Sequence, residues 1–413
     1  MNFIYVINLF IFCQSVIKFH FKRKYNPSNI DNSLKYYEYL TKNDLITEIS
    51  IGTPNQKIPV SLIIDSDFLY LTIPSSKGLF NSNNSNTFYS NFQEYEISNE
   101  IVKKGYSAQD NINLNINNKE KTISNISFLY AIEPKANILN LGGIGLCHKP
   151  YYKESNNLIV QLKNKELIDN YAYTIQFINN NEGYLYLGEY PHSYNKTYYD
   201  SVNFNSMPVS LTFIWVSNFN EVNFGNEIIN EKQFELNYTI AGILGVKSLV
   251  KYFDSFFQPK INENKCKEYN DNGYTYYECN SNLKISDFPI LSFYHKDSNF
   301  TFILTYEDLF EVINGKLYCK IIFRKGLDKR WCLGQPFIQK YMITFDQNKK
   351  IFGFYDKINE IKGFLTWYKI TFFFLIIVII FSIIILVNYI RKKPRKIRAN
   401  EIEEDIDYTP INS

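Results

Sequence analysis

The chain is poor in the residues that carry much of enzyme chemistry. It has only 4 histidines in 413 residues. His20, His148, His192 and His295 are scattered, and none pairs with a serine or cysteine in a recognisable nucleophile motif. Ser–His and Cys–His hydrolases are therefore set aside. It has 6 cysteines and no C-x-x-C pair, so no zinc site, other metal or cofactor is expected. It also lacks a basic excess. Net charge is +3, and six basic residues fall in one cluster, Arg391, Lys392, Lys393, Arg395, Lys396 and Arg398, which leaves the rest of the chain near neutral or slightly acidic. That excludes a nucleic-acid footprint on the rest of the chain. The glycine-rich run 140–147, NLGGIGLC, has no following Lys-Ser/Thr and no strand–GxGxxG–helix context, so it is not a phosphate loop.

What is present is a long, apolar and aromatic chain. Hydrophobic content is 45% and charged content 21%, which places it among globular proteins, with length enough for two lobes. Two apolar segments set an expected topology. Residues 1–18 read as a signal peptide, although a basic n-region is missing. Residues 370–390 are long enough to span a bilayer as a helix. Trp367 and Tyr368 flank that run on one side and the basic cluster on the other, which marks 391–413 as a cytoplasmic tail. A GPI signal would end in its hydrophobic tail, and this chain continues. The expectation is a single-pass type I membrane protein of the secretory pathway or cell surface, its body luminal or extracellular.

Cysteines and sequons fit that compartment. Cys147, Cys266, Cys279, Cys319 and Cys332 lie outside the signal segment, and an odd number leaves at least one thiol free. Asn83, Asn125, Asn195 and Asn299 are glycosylation candidates. Asn237 is a formal sequon as well, read as a chance match in a partly buried turn.

Residues 19–35, polar and basic with Pro27, read as a short loose leader. Short strands follow, near 45–51, 57–64, 69–73, 94–102, 110–116, 122–131, 172–178 and 183–188. A second series lies near 207–215, 219–229, 234–236, 290–294, 300–304, 319–323, 342–345 and 351–355. Helical spacing appears at 156–167 and 247–257, and 262–282 reads as a hydrophilic loop. Many short strands and few helices predict an all-β body.

The stretch 62–75, LIIDSDFLYLTIPS, organises the rest. Aliphatic residues run into Asp65 at a strand end, where burial disfavours a carboxylate. Such a residue is either a site or the start of a turn. Upstream stands Ile51-Gly52-Thr53-Pro54-Asn55-Gln56. Downstream, Gly142, Gly145 and Leu146 fall in a glycine-rich segment, and Trp331-Cys332-Leu333-Gly334-Gln335-Pro336-Phe337 precedes Tyr341 and Phe345-Asp346. In this order and spacing the blocks resemble the pepsin-like aspartic proteases over most of 36–356. The resemblance implies a bilobal pepsin-like β fold, with an N-terminal lobe at 36–192, a C-terminal lobe at 193–358 and a peptide-binding cleft between them. It puts Asp65 at the first catalytic Asp, followed by Ser66 and Asp67 where the family has Thr and Gly. It also implies a second-lobe disulfide, assigned to Cys279–Cys319 with Cys266–Cys279 as the alternative.

The family's chemistry needs two carboxylates sharing one proton, one as acid and one as base. On the resemblance, the second falls on Asn237, followed by Tyr238 and Thr239. Asparagine cannot ionise. The flap tyrosine position falls on Ser98, with Tyr95 close enough to take the role under a shifted alignment. The leading expectation is a membrane-anchored homologue without proteolytic activity that binds a peptide or protein ligand in its cleft. The alternatives are an active endopeptidase using Asp65, and a structural or adhesive surface protein.

Overall fold

The structure, a computed structural model, describes residues 16–24, 33–41, 43–72, 79–96, 102–117, 119–134, 141–147, 156–210, 214–326, 329–356 and 364–392. Strand Ile17–Arg23 turns Ile17, Phe19, Phe21 and Arg23 inward and Lys18, His20 and Lys22 outward. That alternation is what one buried sheet face requires. The strand pairs antiparallel with Glu182–Leu187 and with Leu45–Ile51, well inside a 13-stranded sheet. Residues 19–23, expected in a loose leader, are thus an integral strand. Their polar composition masks a period-2 pattern in which every second side chain is buried.

Helix Ser33–Thr41 follows, and the boundary expected at 35/36 falls inside it. Tyr36, Tyr37, Tyr39 and Leu40 pack with Ala241, Tyr276, Ile313, Tyr318 and Ile322 of the second half.

The large sheet also joins the two halves. Ala172–Phe177 of the first half pairs with Thr344–Asp346 of the second, and the sheet continues within the second half through Ile351–Tyr355 to Phe204–Pro208. Across this seam Tyr173 stacks on Phe345, and the Trp215 indole donates to the Leu146 carbonyl at 3.0 Å. Burial of such rings stabilises the fold by about 2–3 kcal/mol per side chain. A nine-stranded and a four-stranded sheet complete the second half.

The hydrophilic stretch expected as a loop at 262–282 holds an antiparallel hairpin, Cys266–Asp271 with Tyr274–Asn280. Cys266 and Cys279 face each other in register and form the disulfide. The expected Cys279–Cys319 pairing is corrected: Cys279 sits opposite Leu317, while Cys319 pairs with Phe310 and remains a buried thiol.

The chain divides into the units Met1–Ile358 and Asn359–Ser413. The second holds helix Phe364–Lys392, which contains the run 370–390. Its described side chains, 374–389, are all exposed. Among the described residues no helix is long and apolar enough to cross a membrane.

Candidate functional site

One strand arrangement occurs twice. In the first half, Gln56–Ile63 ends in a turn, and the chain returns as Leu69–Thr72. Between them runs Gly142–Gly145, parallel to the former with Leu62 opposite Ile144, and antiparallel to the latter with Leu69 opposite Ile144. In the second half, Gln233–Leu236 ends in a turn and returns as Ile243–Gly245. Trp331–Leu333 runs between them, parallel with Leu236 opposite Leu333, and antiparallel with Ile243 opposite Leu333.

Each central strand ends at a glycine pressed against the turn. A Cβ on Gly145 would lie 2.6 Å from the Ser66 carbonyl oxygen and 2.4 Å from the Phe68 nitrogen. On Gly334 it would lie 2.3 Å and 2.1 Å from the Ile240 and Gly242 carbonyl oxygens. Only glycine allows that approach.

The strands flanking the two turns match at an offset of 174 positions, Leu62 to Leu236 and Leu69 to Ile243. Inside the turns that offset is not kept: the Ser66 carbonyl accepts from Cys147, two residues past Gly145, and the Ile240 carbonyl from Gln335, one residue past Gly334. Asp65 lies in the first turn and Asn237 opens the second, and the charge of Asp65 reaches Tyr238 and Glu235 on either side of Asn237.

In the first turn, Asp65 is exposed while Ser66 and Asp67 are buried. The Ser66 carbonyl accepts from the Cys147 backbone N–H at 2.8 Å, and the Asp67 carbonyl from the Asn157 amide at 2.7 Å. Ile63 packs on Phe68, Tyr70, Leu129 and Ala131.

In the second turn, Asn237 is half-buried. Its Oδ1 accepts from the Thr239 backbone N–H at 3.0 Å and from Thr239 Oγ1 at 2.7 Å. This local side-chain-to-backbone turn explains an asparagine here. Tyr238 is fully buried, and burial, with the charge of Asp65 second, pushes its phenol well up. Arg23 ties the first strand to this turn: its guanidinium donates to the Asn43 carbonyl at 2.8 Å and the Tyr238 carbonyl at 3.3 Å. Burial lowers its pKa to about 10. The Ala241 backbone N–H donates to the Leu40 carbonyl at 3.0 Å, seating the early helix against the same turn.

A cavity of about 600 Å³ opens here, lined among others by Thr41, Gln233, Glu235, Asn237 and Tyr274. Gln233, Glu235 and Asn237 alternate along the chain, and the strand's period-2 geometry puts them on one side. Sequence reasoning passed over Glu235, though its place two residues before Asn237 was the signal. Its carboxylate pairs with Arg330 at 2.9 Å. Burial raises its pKa, Arg330 opposes that, and Asp65 adds a smaller upward push.

Tyr95 pairs through its backbone with Gly105, and Ser98 lies outside the described residues. Asn83, Asn125 and Asn299 are exposed, and Asn195 is half-buried. Among the described residues, no group of three or more His, Cys, Asp or Glu is placed to hold a metal ion.

Two halves that present the same strand–turn–strand unit around a shared sheet define a two-lobed β protein of the acid-protease type. The chain belongs to the eukaryotic aspartyl protease family, whose family model matches residues 44–357. No curated protein matches it.

Proposed function

We propose that this protein is a membrane-anchored member of its family that has lost proteolysis and binds peptide in the cavity at Asn237. The observation that carries this reading is the asparagine at the second turn, where the Asn237 Oδ1 is taken up by Thr239, while a carboxylate, Asp65, stands in the first turn. A proton-sharing pair needs two carboxylates. Asparagine accepts and donates without ionising. One carboxylate alone cannot be both the base that activates water and the acid that protonates the leaving group. By transition-state arithmetic, several orders of magnitude in rate correspond to about 4–8 kcal/mol of barrier. The apolar side chains exposed along 374–389, with the basic cluster beyond them, support the anchor. Type I orientation with a luminal or extracellular body follows from the same cluster.

The test is a peptide-library assay on the full chain in detergent, from acid to neutral pH, read for both cleavage and retention of peptides. Retention without cleavage is expected. A second reading is an active protease with a divergent site using Asp65, favoured by the exposed place of that carboxylate in the first turn. It requires cleavage that Asp65→Asn abolishes. Neither retention nor cleavage would leave a structural or adhesive role.

A further inference from the structure

Next to the Asn237 cavity lies a larger one of about 1200 Å³, and the two share Gln233, Arg324, Gly326 and Lys329. Its cations are Lys232, Lys247, Lys251, Arg324, Lys325 and Lys329. Its acids are Glu231 and Asp254, and both are engaged: Glu231 accepts from the Ser248 hydroxyl, and Asp254 from the Tyr277 hydroxyl at 3.1 Å.

Among the described residues, none of the six cations makes an ion pair. Lys247 and Lys251 lie one turn apart on helix Lys247–Asn262, a spacing at which like charges repel. Val250 and Phe323 supply an apolar wall between the charges. At the junction with the Asn237 cavity, Arg330 is already neutralised by Glu235. The unspent positive charge therefore starts with Arg324 and Lys329, which line both cavities, and continues along the larger one through Lys325, Lys232, Lys247 and Lys251.

Resting on the peptide-binding reading above, we propose that the ligand is an acidic peptide. Its backbone lies at Asn237 and its carboxylates run into the basic slot. Charge complementarity chooses the sign of the ligand. Val250 and Phe323 among the cations favour a peptide that carries apolar residues beside its acidic ones.

The test measures fluorescence anisotropy on the full chain in detergent. Its probes are equal-length acidic–apolar, neutral and basic peptides and a sulfated oligosaccharide. The acidic peptide is expected to bind about tenfold more tightly than the neutral one at low salt, the sum of a few weak ion pairs. High salt erases that preference. Lys247→Glu/Lys251→Glu/Lys325→Glu erases it too, while neutral-peptide binding stays. Equal binding of acidic and neutral peptides overturns the slot and leaves peptide binding standing. No binding of any peptide overturns both. Tighter binding of the sulfated oligosaccharide than of the acidic peptide overturns the choice of ligand.

Discussion

The Asn237 Oδ1 accepts from the Thr239 backbone N–H at 3.0 Å and from the Thr239 hydroxyl at 2.7 Å, so this side chain is spent on its own turn. A proton-sharing pair would need a carboxylate in its place. Asp65 is an exposed residue of the first turn, and its charge is felt by Tyr238, Tyr70 and Glu235.

Glycine at 334 is a steric requirement of the turn that carries Asn237. In Gly334→Ala the new methyl would meet two carbonyl oxygens, at 2.1 Å and 2.3 Å, and neither can rotate away. The expected loss is about 3 kcal/mol, at the upper end of ordinary overpacking. Urea unfolding measures it. Gly273→Ala, with nothing within 4 Å of its Cβ, tests only the positive φ and is expected to lose about 1 kcal/mol.

Arg23 fastens the first strand to the second-half turn. Arg23→Met keeps the apolar stem and deprives the Asn43 and Tyr238 carbonyls of their donors. The expected destabilisation is about 2–3 kcal/mol for buried bonds to a charged donor. Amide exchange should accelerate at 17–23 and 237–241 before it does in the hairpin 266–280.

Stability should depend on pH through Glu189. Burial, then a hydrogen bond that the protonated Glu189 carboxyl donates to the nearby Asp169 carboxylate, and that residue's charge, raise the Glu189 carboxyl from 4.5 to about 7, against weaker opposing effects of Ser193 and Lys163. The folded state therefore holds a proton that the unfolded chain releases at lower pH. This contribution is fully present below 4.5 and is lost as pH rises through about 7. Denaturant midpoints should fall across that window, and Glu189→Gln should flatten the fall.

The disulfide has a direct chemical check. Peptide mapping without reduction should recover Cys266 joined to Cys279. Cys266→Ser should cost about 3 kcal/mol, as expected for closing a short loop. Cys319→Ser should leave the disulfide intact.

Much of the frame was legible from local pattern. Strands at 45–51 and 351–355 appear where alternation put them, and the helix at 247–257 extends to Asn262. Glycines 145 and 334 mark both turns because a steric demand fixes residue type. What was not legible depends on partners far along the chain. Ile17–Arg23 becomes a central strand only because Glu182–Leu187 and Leu45–Ile51 flank it. Cys266 finds Cys279 because a polar hairpin forms in a segment that reads as loop.

The most direct test of the central claim is peptide cleavage by Asn237→Asp beside the native full chain, from acid to neutral pH. The native chain should not cleave, because proton sharing needs a second carboxylate and Asn237 supplies an amide, and any cleavage gained should appear only with Asn237→Asp. Cleavage by the native chain that Asp65→Asn abolishes would contradict the account.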